Sequence, residues 1–417
     1  MGTPEQLALG DALDSVMHCL IQPLGFSKDA FQLDAIEEGL AAMHQLDSLR
    51  DVAATMARLE ENLTQAYLRY VIGQRFGFTN PAKLFGRRQY DIETEQPDSA
   101  FIDYAMHQLS DKQAMLDFLH AAETQDKPYQ QLKSLLQQDS DSVSRQRIIC
   151  NMERLRWRNV RHPLSADRHI FVNIASQQLW AVHADSIINM RICYGKNSTK
   201  TPLLSSDIHL IQLNPEWHIP FSIVRDEVSN HAGDSAYFAR NNYYIIDSER
   251  QEVDPRNLTH AQLRSGRYSI SQRSGAGNSL GRIIFRFPNK FSVYLHDTSS
   301  PGAFKKQRRA ISHGCIRLQR PFDLAEFLLP DASEWKLEQM RLSIDMKPTT
   351  EQGRQYLKEH GEEPVRLISS TTVDPKVPVL IDYYTLYPNP MTGELETWDD
   401  TYGYDKIIYN AIKPYLP

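Results

Sequence analysis

Between Tyr294 and Arg317 the chain reads YLHDTSSPGAFKKQRRAISHGCIR, and two of its residues have the types of a nucleophile–base pair. Cys315 supplies a thiol and His296 an imidazole. The thiolate is the reactive form, and an adjacent imidazole lowers a thiol pKa from about 8.5 into roughly the 3.5–7.5 range. Gly314 removes a side chain where backbone must approach a ligand. Amide N–H groups freed there can face a developing oxyanion. Asp297, directly after the histidine, is a carboxylate able to raise the imidazole pKa and favour an imidazolium–thiolate pair. Arg317 carries a planar fork suited to a substrate carboxylate, or it braces the loop. Tyr294 lies two residues before His296 and so shares its strand face, ring toward the site. Ser312 and His313 lead into Gly314, and His313 reads equally well as a histidine fixing a turn or as one with a direct chemical role.

A metal reading is weaker. His313-x-Cys315 with His296 offers three zinc ligands, but no second paired ligand motif accompanies them, so no metal is expected. The other cysteines, Cys19, Cys150 and Cys193, are scattered without CxxC spacing and read as small buried hydrophobes. The basic run Lys305-Lys306-Gln307-Arg308-Arg309 is either a solvated loop or a weak electrostatic guide for acidic peptides.

These residues need a scaffold, and from about His162 the sequence supplies short alternating runs. His169–Ile174 and Gln178–Val182 flank a polar turn, which predicts a hairpin. Ile188–Tyr194, Asp207–Leu213, Ile283–Phe287 and Lys290–Leu295 read as further strands, together a β-sandwich. The long segment from Pro220 to Gln272 has weaker periodicity, and its length inside a compact domain marks it as functional. Its Tyr237, Phe238, Tyr243 and Tyr244 offer aromatic surface or ordinary packing.

The first 160 residues read differently. Val52, Met56, Leu59, Leu63, Tyr67 and Tyr70 recur at helical spacing, and Asp29–Leu46, Lys112–Ala122 and Tyr129–Leu136 are similar. None of these segments carries active-site residue types, so they predict a helical scaffold. Phe322–Leu329 reads as a helix, Pro378–Leu386 as a strand, and Asn389–Gly393 as a turn leading to Glu394–Trp398.

At 417 residues the chain is too long for one ordinary core, and two or three domains are expected. A net charge of −6 gives no reason to expect nucleic acid. No apolar run approaches the ~20 residues needed to span a bilayer. The opening MGTPEQLALGDALD has neither a basic n-region nor a continuous h-region, so no signal peptide is read in it.

As a whole, a histidine, fifteen intervening residues (297–311) and S-H-G-C followed by a hydrophobic residue and arginine resembles the signature of the L,D-transpeptidases, the YkuD-fold enzymes that crosslink peptidoglycan. RIICNMERLRWR (147–158), FVNIASQQLW (171–180), YGKNSTKTP (194–202), LNPEWHIP (213–220) and NSLGRIIFRFPNKFSVYLHDT (278–298) resemble the YcbB-like branch. The resemblance is firm over Arg147–Leu329 and looser outside it. It implies an α+β multidomain protein: a helical scaffold (1–160), a β-sandwich catalytic domain (165–345) with a capping lid over about 221–272, and a C-terminal extension (346–417) packing back on the catalytic domain. In that branch a small peptidoglycan-binding module sits before the NMERLRW segment. Here a polar connector, Asp139–Ser144, leaves no room for it.

The resemblance implies Cys315 as nucleophile and His296 as its base, with the residue after the histidine, Asp297, orienting the ring through its backbone. Backbone around Gly314 and Cys315 would form the oxyanion hole, with His313 shaping the site. Trp217 lines the groove or is structural, as is Asn214. The implied reaction is ping-pong acyl transfer between peptidoglycan tetrapeptide stems, giving 3→3 crosslinks without a cofactor. Water as acceptor would make an L,D-carboxypeptidase, and lipoprotein attachment or release would use the same site; a decayed site would leave a peptidoglycan-binding scaffold. Carbapenem-type β-lactams are the implied covalent inhibitors, and other cell-wall synthesis proteins the implied partners. The substrate places the enzyme in the periplasm.

Overall fold

The computed structural model describes residues 3–45, 52–138, 141–161, 163–184, 186–361 and 365–417. Two compact units emerge: Met1–His162 together with Tyr383–Pro417, and Pro163–Asp382. Part of the Asp139–Ser144 connector and Leu46 lie outside the described residues; Ser142 already begins a helix.

The first unit is helical because its apolar stripes find one another. Val52–Phe76 buries Leu59, Leu63, Tyr67 and Tyr70. Pro4–Ile21, Leu33–His44, Lys112–Ala122 and Lys127–Leu136 bring Met17, Ile36, Leu119 and Leu132 into the same cluster. Asp98, Asp111 and Asp141 cap their helices by accepting backbone N–H groups of the first turn. The NMERLRW segment lies at the end of helix Ser142–Arg156 and is a buried polar network. Arg156 reaches Glu153 at 3.2 Å and Tyr129 Oη at 2.9 Å, and Glu153 accepts from the Thr79 N–H at 2.7 Å. Buried charges survive where each is paired and hydrogen-bonded, as here. Cys19 differs from its expectation: it is exposed on the helix, while Cys150 and Cys193 are buried. The apolar stripe of Pro4–Ile21 runs through Leu13, Met17 and Ile21, which leaves position 19 on the outer face.

The second unit is built on strands. Leu203–Leu213 pairs with Ile283–Arg286 on one side and Ser370–Asp382 on the other. From Ile283–Arg286 the ladder runs through Leu295–His296, Ile316–Leu318, Ser186–Gly195, Gln178–His183 and Arg168–Asn173, then returns to Ser370–Asp382. The expected sandwich is in detail one sheet that closes on itself. Leu295, Ile316, Phe285 and Leu318 are fully buried on one face, and alternation puts their sequence neighbours on the other.

Two strand expectations are corrected. Lys290–Leu295 is a turn, with only Leu295–His296 extended into the ladder. The Asn289 side chain accepts from the N–H groups of Phe291 and Val293 and donates to Val293 O, and Ser292 adopts φ +54°. Local side-chain bonds of this kind compete with a ladder. The C-terminal extension also divides. Ser370–Asp382 becomes a strand of the large sheet, a bulge between Thr372 and Val377 absorbing Pro375. Tyr383–Pro417 belongs to the helical unit instead, where Leu386 and Ile412 enter the core and Arg154 pairs with Asp405 at 2.6 Å.

The segment expected to form the lid is a folded element rather than a loop. Trp217–His218, Ser269–Gln272, Tyr243–Ile246 and Glu252–Val253 form a small antiparallel sheet. Ile223, Val228, Phe238, Ile245 and Ile270 make its core.

Candidate active site

His296 and Cys315 are held by neighbouring parallel strands. Leu295 pairs with Ile316 and His296 with Arg317, and the Ile316 N–H donates to Tyr294 O at 3.0 Å. Arg317 in turn pairs with Cys193. His296, Arg317 and Cys193 therefore form a row across three strands on the face opposite Leu295, and Cys315 lies two residues along from Arg317.

His296 is buried at 3% exposure. Its Nδ1 lies 3.4 Å from Leu280 O, which only accepts, so this contact assigns the proton to Nδ1 and leaves Nε2 as the base nitrogen. Burial, with the Arg317 charge adding to it, lowers the imidazole pKa to about 4 against backbone contacts with Asp297 and Leu280. The ring is neutral at pH 7. Burial also pushes the Cys315 thiol up, opposed by the Tyr294 backbone and by Arg317. Both directions favour the neutral forms, thiol and imidazole, over an imidazolium–thiolate pair.

Asp297 explains why. Its carboxylate accepts the Arg282 N–H at 2.7 Å, on the other side of the strand from the ring, and burial raises its own pKa. A Cβ on Gly281 would fall 2.4 Å from Asp297 Cγ, so glycine at φ +66° is required beside it.

The SHGC turn is bound from within and from the YGKNSTKTP loop. Ser312 Oγ donates to Cys315 O at 2.6 Å and accepts the Gly314 N–H at 3.2 Å. That leaves the Cys315 N–H, which meets no acceptor among the described residues. Gly314 adopts φ +122°. Its carbonyl accepts from Thr201 Oγ1 at 2.8 Å, while Thr201 Oγ1 accepts the Gly195 N–H at 2.9 Å. Thr199 Oγ1 and the Lys196 N–H both donate to Ser312 O at 3.0 Å. Thr201 and Thr199 were missed in the sequence reading, although their loop was singled out; only a map of contacts reveals that it clamps the turn.

The remaining residues separate. Cys315 Sγ faces Ser292 O at 3.8 Å, across the turn set by Asn289. Arg317 Nε is buried with no hydrogen-bond partner among the described residues. Tyr294 lies under Arg286, whose Cζ is 5.0 Å from the ring centroid. His313 Nε2 lies 2.7 Å from Glu227 Oε1, at the end of lid helix Phe221–Asp226, so this histidine touches the lid. Trp217 packs on the lid core. Tyr237 stacks on His231 at 3.7 Å, and Tyr244 Oη donates to Glu216 at 2.9 Å. Asn214 accepts from Arg282 Nε at 2.7 Å, a structural role.

This geometry sits within a stretch that has known relatives. Residues 167–334 match the YkuD model, the L,D-transpeptidase catalytic domain. The β-rich unit is therefore similar to YkuD-family domains over those residues. Residues 21–136 match the model of a scaffold domain. A protein of Haemophilus influenzae, provisionally named an L,D-transpeptidase, is 28% identical over 348 residues, covering 80% of this chain and 64% of the relative. The chain thus spans under two thirds of that protein's length. An L,D-transpeptidase from Mycobacterium smegmatis, of solved structure, is 14% identical over 39% of this chain and 54% of its own, with a TM-score of 0.22. The match to the scaffold model thus precedes the match to the YkuD model along the chain.

Proposed function

We propose that this chain is an L,D-transpeptidase of the YcbB-like branch, forming 3→3 crosslinks between peptidoglycan stems through a thioester on Cys315. The observation that supports the reading is the register that sets the neutral, buried His296 beside the SHGC turn, with Arg317 directly opposite His296 and two residues along from Cys315.

In the proposed reaction Cys315 sulfur attacks the carbonyl of the third stem residue, meso-diaminopimelate, as His296 Nε2 takes the thiol proton. The Cys315 N–H is the available oxyanion donor, the oxygen of its peptide held by Thr201 and the peptides on either side by Ser312. The imidazolium returns its proton to the nitrogen of D-Ala as the C–N bond breaks, leaving a thioester. The side-chain amine of a second stem then attacks the thioester carbonyl, losing a proton to His296. Collapse expels the Cys315 thiolate, which recovers that proton. Arg317, Tyr294 and Trp217 are the candidate substrate-binding residues, and Arg317 Nε is the donor best placed to meet a stem carboxylate. The same acyl transfer lets carbapenem-type β-lactams acylate Cys315. The substrate lies outside the inner membrane, which makes the periplasm the site of action.

Mass spectrometry after incubation with disaccharide-tetrapeptide, alongside Cys315→Ala, tests this. An acyl-enzyme lacking D-Ala, with 3→3 dimers in solution, is expected of the wild type alone. Tripeptide without dimers would reassign the enzyme as an L,D-carboxypeptidase. Neither adduct nor turnover would overturn both.

A further inference from the structure

The basic run of the motif loop is not used by the chemistry at Cys315, and one member of it turns inward. Arg309 is buried, its Nε donating to Ile192 O at 2.9 Å, Nη2 to Gln177 O at 2.9 Å and Nη1 to Lys306 O at 3.1 Å. It forms one wall of a cavity of about 550 Å³ completed chiefly by Arg191, Arg320, Gln178, Asn189 and Gln319. Three guanidinium groups meet there in a chain of net charge −6, and no carboxylate belongs to the lining.

Their charges are not equally balanced. Arg320 pairs with Asp323 at 3.0 Å and donates to Asn189 O. Arg191 and Arg309 have no ion-pair partner among the described residues. Two like charges facing a partly desolvated cavity repel each other, and burial together with Arg191 lowers the Arg309 pKa against the pull of Cys193. Arg191 is positioned by its strand: its N–H donates to Gln319 Oε1 at 3.2 Å, Gln319 N–H donates to Arg191 O at 3.1 Å, and Arg191 Nη1 donates to Phe304 O at 3.2 Å. Its Nε and Nη2 then remain without a partner among the described residues, and the Gln319 amide N–H groups add donors of the same sense.

We infer that this cavity is an anion site for a carboxylate- or phosphate-bearing group, held by the open edge of the Arg191 guanidinium, with Arg309 supplying charge rather than a direct bond. A planar fork with two adjacent donors suits either oxyanion. Arg191 and Gln319 sit two strand residues beyond Cys193 and Arg317, and so four beyond Cys315, about 13 Å along the same face. An acidic group of the proposed substrate can therefore occupy the site while the stem is at Cys315; a free small anion can also fill it.

Isothermal titration of the full chain with inorganic phosphate, and separately with acetate, at low ionic strength distinguishes these. Saturable one-site binding is expected in wild type and in Cys315→Ala, and affinity about tenfold weaker in Arg191→Gln with an unchanged melting temperature. No saturable heat with either probe in wild type, or equal affinity in Arg191→Gln, overturns the inference. A raised KM for disaccharide-tetrapeptide with unchanged kcat in Arg191→Gln assigns the site to the substrate; an unchanged KM with lost phosphate binding assigns it to a free anion. The titration does not involve the thiol, so its failure and that of the proposed reaction are separable.

Discussion

His296 and Arg317 stand directly opposite each other on neighbouring parallel strands, a base and a permanent cation in one row. The cation acts on both groups of the proposed pair: it helps burial hold the imidazole pKa down and opposes the burial that raises the Cys315 thiol. Arg317→Met should let both rise. The acid limb of kcat/KM, set by loss of the His296 proton, should move to higher pH, and the rate at neutral pH should fall. Arg317→Lys keeps the charge and should keep the limb while raising KM. A pH–rate profile of the methionine variant that superimposes on wild type would show that Arg317 acts only by binding.

The same buried imidazole makes stability depend on pH in a defined sense. Its folded pKa is about 4 and its unfolded value is the ordinary 6.5. Between them the unfolded chain holds the proton and the folded chain does not, so acid favours unfolding. The penalty is absent above pH 6.5 and grows as pH falls toward 4, reaching roughly 3 kcal/mol at 1.36 kcal/mol per unit. Urea unfolding at pH 7 and pH 4.5 should show a larger acid loss in wild type than in His296→Gln. Equal losses would mean that His296 titrates normally in the fold.

Thr201 is fully buried and serves two backbone groups, donating to Gly314 O and accepting from the Gly195 N–H. Thr201→Val preserves shape but strands both groups, at a cost of about 1–3 kcal/mol for each. If it holds the Gly314–Cys315 peptide for an oxyanion, kcat should fall more than KM changes, and Thr201→Ser should restore it. Loss of stability with kcat intact would confine Thr201 to a structural role.

Much of this arrangement was legible in advance because it rests on local pattern. Helical stripes such as Leu59–Leu63–Tyr67–Tyr70 and the hairpin of Arg168–His183 follow from spacing alone. The row of His296 and Arg317 does not, because strand register is decided by pairing partners distant in sequence. Asp297 beside His296 invited a charge interaction, yet alternation turns the two side chains to opposite faces. Lys290–Leu295 has a strand composition, but Asn289 commits its side chain to the turn, a choice visible only once its four bonds are seen. The destination of Tyr383–Pro417 was hidden for a similar reason: Leu386 and Ile412 are as apolar as any strand residue, and only contact tells which core receives them.

Asp297 offers the sharpest separation between neighbouring roles. Its carboxylate accepts the Arg282 N–H and occupies the space a Gly281 side chain would need. Asp297→Asn keeps an acceptor oxygen at the same place, so the backbone of His296 should stay in register. Because the carboxylate faces away from the ring, the acid limb of kcat/KM should be unchanged in this variant. Gly281→Ala is the opposite case: it adds strain at φ +66° and drives a methyl group into the Asp297 carboxyl, from which one side must move. Expected losses are at least about 1 kcal/mol of stability, from holding an alanine in the left-handed region and from the clash, and a reduced kcat as the strand carrying His296 shifts. Kinetics and urea unfolding of the two variants decide it: a shifted acid limb in Asp297→Asn would restore the direct charge interaction between Asp297 and His296.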